Sequence, residues 1–374
     1  MSLAPTELTD AEQALKNDVR TFLDQRLPEG SYPLGLGMTG HCDPQFSRDL
    51  GARGWLGMAI SQAYGGGGRT AVERLIVVEE LLTRGAPVGY HWIADRQSGP
   101  SIERYGSEEQ KQEYLPKICR GELSFAIGMS EPDSGSDLAS LRSKAQPVSD
   151  GWRISGTKIW TSGAAEATHI LGLFRTSEHK HAGLTQFIVP CDTPGLTISP
   201  IAFIDGSHDF CEVVFDDVVL GDAQRLGEVG NGWRQNTSEL VLERGGVDRW
   251  MSLFPVIEKW APSALSLGQS ALADLGLMSA RFWGLRGLCL AIARLVDAGQ
   301  SPVIEAAMVK EMATRFEQDS VEMVARHLGR APDLTSPDPY EVLLARAVLV
   351  SPSWSIRGGT NEILRTIIAK GLGA

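Results

Sequence analysis

Three stretches of this 374-residue sequence set side chains able to do chemistry close together. The first, Gly128-Met129-Ser130-Glu131-Pro132-Asp133-Ser134-Gly135-Ser136-Asp137, mixes hydroxyls, carboxyls and small residues. Such a set builds either a tight turn or a loop whose amides approach a ligand closely, and composition alone does not separate the two. The second is Lys158-Ile159-Trp160-Thr161-Ser162, where a tryptophan taken by itself reads as an ordinary core aromatic. The third, Leu242-Glu243-Arg244, offers a carboxylate suited to general-base work. Taken blind, the same pair is a common ion pair on a helix surface. A fourth candidate fails at once: Tyr64-Gly65-Gly66-Gly67-Gly68 is followed by Arg69-Thr70, which does not supply the Gly-Lys-Ser/Thr of a phosphate-cradling loop.

The elements that position these stretches follow from periodicity. Ala11, Leu15, Val19 and Phe22 recur at helical spacing between Thr9 and Leu27, and further helices are expected over 44–54, 70–84 and 98–120. From Leu123 the texture changes to short segments rich in β-branched and aromatic residues, bounded by Gly, Pro and Asp turns. Trp152–Ser155, Ile170–Phe174, Gln186–Val189 and Glu212–Phe215 are the clearest, and they predict an antiparallel β unit. Helical periodicity returns after Gly232 and includes the spans 263–298 and 304–327. The expectation is an α+β chain, mainly α: an N-terminal helical domain (1–122), a central β domain (123–232) and a C-terminal helical domain (233–374).

Composition bounds the partners. Hydrophobic residues make up 43% and charged residues 22%, ordinary for a globular chain with a sizeable core. A net charge of −11 argues against nucleic acid or an anionic membrane. The five scattered cysteines lack metal-ligand spacing, so no metal site is expected and a reducing cytoplasm is the simplest setting. The start, MSLAPTELTDAEQALKNDV, has neither a basic, apolar signal pattern nor an Arg-rich transit pattern. No apolar run is expected to reach membrane-spanning length.

The first stretch matches, at its fixed positions, the hydroxyl-Glu-Pro-x-x-Gly-Ser-Asp signature of acyl-CoA dehydrogenases. The second is similar to that family's second flavin strand. Gly54-Trp55-Leu56-Gly57-Met58, Tyr105–Lys111, Glu212–Val218 and Ile356-Arg357-Gly358-Gly359-Thr360-Asn361-Glu362-Ile363 resemble further family segments, so the likeness spans nearly the whole chain. It implies a helical domain, a β-barrel-like domain and a helical bundle holding FAD. It also implies α,β-dehydrogenation of an acyl-CoA thioester to the 2-enoyl-CoA, in lipid metabolism of the fatty acid β-oxidation type. Electron-transfer flavoprotein is the implied acceptor.

By the resemblance, Ile127, Met129, Ser130, Gly135, Ser136, Trp160, Ser162, Thr360 and Glu362 contact the cofactor. Ser130 would bond the pyrimidine edge, Trp160 would pack on the ring, and Ser162 would bond near N5. Ser136 would also approach the pantetheine arm of the substrate, and Arg244 would lie near coenzyme A. The Gly358 N–H would bond the thioester carbonyl. In medium-chain members the catalytic glutamate sits where this chain has Gly358. The isovaleryl-CoA dehydrogenase type carries it as Leu-Glu-Arg, which Leu242-Glu243-Arg244 matches, so Glu243 is the expected base.

Two family segments are missing. An Arg-x-x-Phe-Gly run and a Gln-x-x-Gly-Gly-x-Gly run normally reach a neighbour's FAD pyrophosphate. Here Lys259 is the only cation between Met251 and Ala280, and the later segment reads Ala325-Arg326-His327-Leu328-Gly329-Arg330-Ala331-Pro332. Two phosphate charges left without a cation or an amide nest are costly. The expectation is therefore a hetero-oligomer in which a related chain supplies that half. Alternatively, Arg326 or Arg330 substitutes for it. Rival readings are a non-catalytic scaffold subunit, or an acyl-CoA oxidase or flavin monooxygenase on the same fold.

Overall fold

Polar caps decide where the first helices begin. Thr9 accepts from the Glu12 amide while the Glu12 carboxylate accepts from the Thr9 amide, and this reciprocal pair opens α1 (Asp10–Arg26). Asp43 caps α2 (Pro44–Ala52), and Thr70 with Glu73 repeats the reciprocal pair at α3 (Ala71–Thr83). The helix expected over 98–120 is instead two, α4 (Gly99–Tyr105) and α5 (Glu108–Cys119). Gly106 is extended between them, and Ser107 with Gln110 caps the second. A π-turn at Ala94–Ser98 precedes them.

The computed structural model describes residues 3–38 and 41–373, the side chains of 238–243 excepted. The chain packs as two units, one of residues 1–40, 70–86 and 241–374, the other of 41–69 and 87–240. Helix α6 (Gly232–Arg244) runs from the second into the first.

The first unit joins α1 and α3 to α7 (Phe254–Ala264), α8 (Gln269–Asp297), α9 (Val303–Arg326), α10 (Pro339–Val350) and α11 (Asn361–Gly371). Trp250 is fully buried there against the Phe282 and Phe316 rings, at 5.1 and 5.7 Å. A helix over 263–298 is interrupted, because Gly268 takes a left-handed φ of 98° between α7 and α8. Contrary to expectation, α8 is long and apolar enough by length and composition to cross a membrane. Its Leu, Ala and Gly content raises the hydropathy, and its charges are turned into the unit. Arg281 reaches Asp319 at 2.8 Å, Arg286 reaches Glu79 at 2.7 Å, and Arg294 binds both Glu12 oxygens at 2.5 and 2.6 Å.

The second unit holds one sheet of β1 (Phe125–Gly128), β2 (Lys144–Val148), β3 (Gly151–Ser162), β4 (His169–Arg175), β5 (Leu184–Pro190), β6 (Leu196–Ile201), β7 (Phe210–Leu220) and β8 (Arg225–Leu226). The strands run in the order β6-β7-β3-β2-β4-β5-β8, with β1 beside β4. The expected antiparallel unit is not wholly so. β1 lies parallel to β4, with Phe125 opposite His169 and Gly128 opposite Gly172. A parallel neighbour needs a long crossover, and the signature loop followed by the β2–β3 hairpin supplies it. Alternate positions bury Ile154, Ile170, Phe174, Phe187, Val213, Phe215 and Val218 in one core, where Phe174 meets Phe215 edge-on at 5.0 Å. Burying a side chain of this kind stabilises by about 1.5–3 kcal/mol.

Asp222 ties the start of β3 to β8. It accepts from Trp152 Nε1 at 2.8 Å and from Arg225 at 2.9 and 2.8 Å, and these bonds, Arg225's first, hold its carboxyl down at about 2. A depressed carboxylate contributes stability above its unfolded value, 3.8, and loses it as pH falls through about 2. In thermal unfolding followed from neutrality into acid, Asp222→Asn is expected to lack that part of the acid limb and to be less stable at neutral pH. An acid limb identical to wild type would contradict the assignment.

Candidate active site

The signature loop and the second flavin segment are bonded residue by residue. The Ile159 N–H donates to the Ser130 carbonyl at 2.9 Å. The Lys158 ammonium donates to the Met129 carbonyl at 3.2 Å and to Glu131 Oε1 at 2.8 Å. Glu131 also accepts from the Arg142 and Ser143 amides at 2.6 and 2.9 Å. Lys158 and Glu131 are both buried. Burial, only partly offset by Glu131, brings the ammonium down to about 8. Burial pushes the Glu131 carboxyl up, but the Lys158 charge and the surrounding donors outweigh it and hold the group below its ordinary value.

Directly after this joint the strand bulges. Lys158 lies opposite Val213 and Thr161 opposite Cys211, so β3 carries one extra residue. Trp160 takes it up with a φ of 61°, a left-handed conformation that costs a side-chain-bearing residue roughly 1–2 kcal/mol. The bulge turns the indole outward, 53% exposed, with Phe203 as its ring neighbour at 6.4 Å. Strain spent on exposing an aromatic has no packing return, which points to a contact made outside the chain.

The other residues expected at the flavin ring lie on the signature loop and at the end of β3. Ser130 and Ser162 are half-buried, and among the described residues their hydroxyls have no hydrogen-bond partner. Ile127 is half-buried on β1, and Ser136 is exposed. A Cβ at exposed Gly135 would meet no protein atom, so nothing inside the chain demands glycine there. The half-buried Met129 side chain packs against the cluster of Leu141, Leu173 and Leu184. An outward flat indole with two unpaired hydroxyls is the donor set that a flavin ring asks for, an apolar cover and hydrogen bonds to its heteroatom edge. The residues present fit FAD.

In the first unit, Arg244 is buried at the end of α6 and its Nε donates to the Gly358 carbonyl at 3.0 Å. Gly358 and Gly359 have φ of 67° and 98°, and a Cβ on Gly359 would stand 3.1 Å from Arg244 Nη2. Both glycines are needed for this turn. Thr360 then caps α11, accepting from the Ile363 amide at 3.4 Å. Glu362 is exposed in the first helical turn, its carboxyl held below the ordinary value by its own amide and by Thr360. The preceding Arg357 pairs with the buried Glu317 carboxylate and donates to Ser252 Oγ at 2.9 Å. Burial pushes Glu317 up and Arg357 down. The side chain of Glu243 lies outside the described residues.

Lys158, Glu131, Glu317 and Ser252 had no role assigned by sequence reasoning. Pairing of distant buried charges leaves no local pattern; only the lysine inside an otherwise apolar strand was a signal. The candidate phosphate cations are all engaged within the chain. Lys259 pairs with Glu29, Arg326 with Asp274 at 2.9 Å, and Arg330 with Glu341, one of its two bonds at 2.8 Å.

Acyl-CoA dehydrogenase N-terminal, middle and C-terminal domains match residues 9–122, 126–218 and 262–373. The chain belongs to the acyl-CoA dehydrogenase family. It is accordingly an FAD-dependent oxidoreductase. It is 32% identical over 341 residues to acyl-CoA dehydrogenase FadE26 of Mycobacterium tuberculosis, covering 85% of this chain and 84% of that protein. The "Tcur3481-Tcur3483 steroid ACAD" structure superposes with a TM-score of 0.88 at 30% identity, over 100% of this chain and 99% of that one. The ChsE4-ChsE5 complex from Mycobacterium tuberculosis gives 0.84 at 27% identity, over 99% of each chain.

Trp160 is an expected flavin contact, and Trp160→Gly separates stability from binding. Its thermal unfolding is expected to match or exceed that of the wild type, since glycine accepts a positive φ freely. FAD affinity, read by titration, is expected to fall about tenfold with the lost ring contact. A destabilised variant with unchanged flavin affinity would make Trp160 a packing residue only.

Proposed function

We propose that this acyl-CoA dehydrogenase chain is the ring-side, base-bearing subunit of a hetero-oligomer, assembled with a related chain that holds the pyrophosphate half of its FAD. One contrast carries the reading. The ring-side hydroxyls and indole are free for a ligand, whereas Lys259, Arg326 and Arg330 are each paired with a carboxylate of their own chain. Two of the superposing structures are described as assemblies of two named chains, which supports the same arrangement. The surface of α8 fits it too. Leu272, Leu277 and Trp283 are exposed on α8 while its arginines are taken up by carboxylates of other helices, and we assign that apolar surface to the partner chain.

The reaction is removal of two hydrogens across the α,β bond of a coenzyme A thioester. Glu243 takes the α-proton. That proton is a weak acid, so enolate character needs hydrogen bonds at the thioester carbonyl, and the Gly358 N–H supplies one. Arg244 holds the Gly358 carbonyl and so fixes the turn that carries this N–H, in addition to lying near coenzyme A. Bound FAD supplies the hydride acceptor, with Ser130 and Ser162 on its heteroatom edge and Trp160 on its face. Ser136 meets the pantetheine arm, and electron-transfer flavoprotein receives the electrons. On the likeness to the steroid ACAD, a steroid-derived acyl group is the substrate to screen first.

Two experiments on the co-purified complex test this. Glu243→Gln should leave the flavin spectrum intact and lower dehydrogenation by about 10²-fold or more. Near-normal turnover would move the base elsewhere or leave the chain a scaffold. The double variant Arg326→Ala, Arg330→Ala should keep its flavin content. Loss of flavin would show that this chain clamps its own pyrophosphate.

A further inference from the structure

Glu131 and Lys158 lie outside both the hydroxyl set and the base segment, yet the bonds that join the signature loop to β3 through them sit directly beside Ser130 and Trp160. Three consecutive residues of the signature loop are tied to two consecutive residues of β3. Met129 gives its carbonyl to Lys158, Ser130 gives its carbonyl to the Ile159 N–H, and Glu131 gives its carboxylate to Lys158. Trp160 is the next residue along. Resting on the flavin reading above, we propose that the Glu131–Lys158 ion pair is a positioning pair, which fixes the Ser130 hydroxyl relative to the Trp160 indole and so sets the grip on the flavin ring.

The chemistry of the pair favours positioning over catalysis. An ammonium has three donors, and here two go to Met129 and Glu131 while the group faces the Phe174 ring at 5.1 Å. The side chain has no exposed surface, so its third donor is closed to a substrate or cofactor. The carboxylate is equally occupied, with the Arg142 and Ser143 amides at the approach to β2. Stability alone does not account for burying these charges. A buried ion pair seldom outperforms apolar side chains of similar volume, whereas removing one partner alone is costly. What the charges add is direction, since several bonds converge on one carboxylate and admit a single arrangement of loop and strand.

The double variant Glu131→Gln, Lys158→Met is decisive, because it removes both charges and leaves neither uncompensated. In the co-purified complex it is expected to unfold close to the wild-type temperature but to bind FAD about tenfold more weakly or worse, with altered visible circular dichroism of the bound flavin. Hydrogen exchange at the Ile159, Arg142 and Ser143 amides of the apoprotein should quicken. Glu131→Gln alone sets its amide NH2 against one of the loop's donors and leaves the buried ammonium without its counter-charge, so it should unfold at lower temperature than the double variant and bind FAD no better. Wild-type FAD affinity and wild-type amide protection in the double variant would overturn the positioning role and leave the flavin reading standing. A wild-type complex that takes up no FAD would overturn both.

Discussion

The buried bond between the Lys158 ammonium and the Glu131 carboxylate, 2.8 Å long, is the joint on which the ring-side geometry depends. Charge is expensive to bury, so a pair of this kind persists only where its remaining donors and acceptors are satisfied. Here a loop carbonyl, two amides and an aromatic face do so. The first unit holds a second buried ion pair, although the Nε of its arginine has no partner among the described residues. Arg357 and Glu317 form a buried pair, with Ser252 bonded to both, and the Gly358–Gly359 turn follows directly in the chain. In each unit a rigid ionic anchor stands immediately before a backbone in left-handed conformation. The anchor supplies the constraint, and the strained or glycine-dependent turn beside it presents the chemistry.

That pairing explains how an exposed tryptophan is kept in place. A bulged strand with an outward aromatic would relax toward regular pairing if its neighbours were free to slip, because a shift of one residue moves every side chain to the opposite face. The bonds from Lys158 and Ile159 to three successive loop residues prevent the slip on one side, and the β7 pairing from Thr161 onward prevents it on the other.

Much of the fold was legible because its signals are local. Apolar residues at helical spacing mark α1, and the β-branched runs mark the strands, whereas the Ser107–Gln110 cap that divides the helix expected over 98–120 was not read. The parallel placement of β1 beside β4 was not legible, since it depends on a crossover whose path no short pattern reports. The break at Gly268 was hidden because helical periodicity is similar on either side of it. At the site, the motifs point to Ser130, Trp160 and the Gly358 turn, but not to what holds them. Glu131 is 27 residues from Lys158, and Glu317 is 40 from Arg357. Arg244 illustrates the same limit: the motif gives only an expected role near coenzyme A, while its bond to the Gly358 carbonyl is visible only in the fold.

What the chain lacks matters as much as what it carries. A flavin ring is held by a flat face and a few hydrogen bonds, but a pyrophosphate carries two charges that need cations or an amide nest. This chain has the first set, and its candidate cations for the second are paired with its own carboxylates. The most direct test of the account is flavin content per chain, measured after gel filtration for the chain expressed alone and for the complex with its partner. The account predicts little flavin on the lone chain and retained flavin, below one per chain, in the complex. A stable homo-oligomer carrying one tightly bound FAD per chain would contradict it.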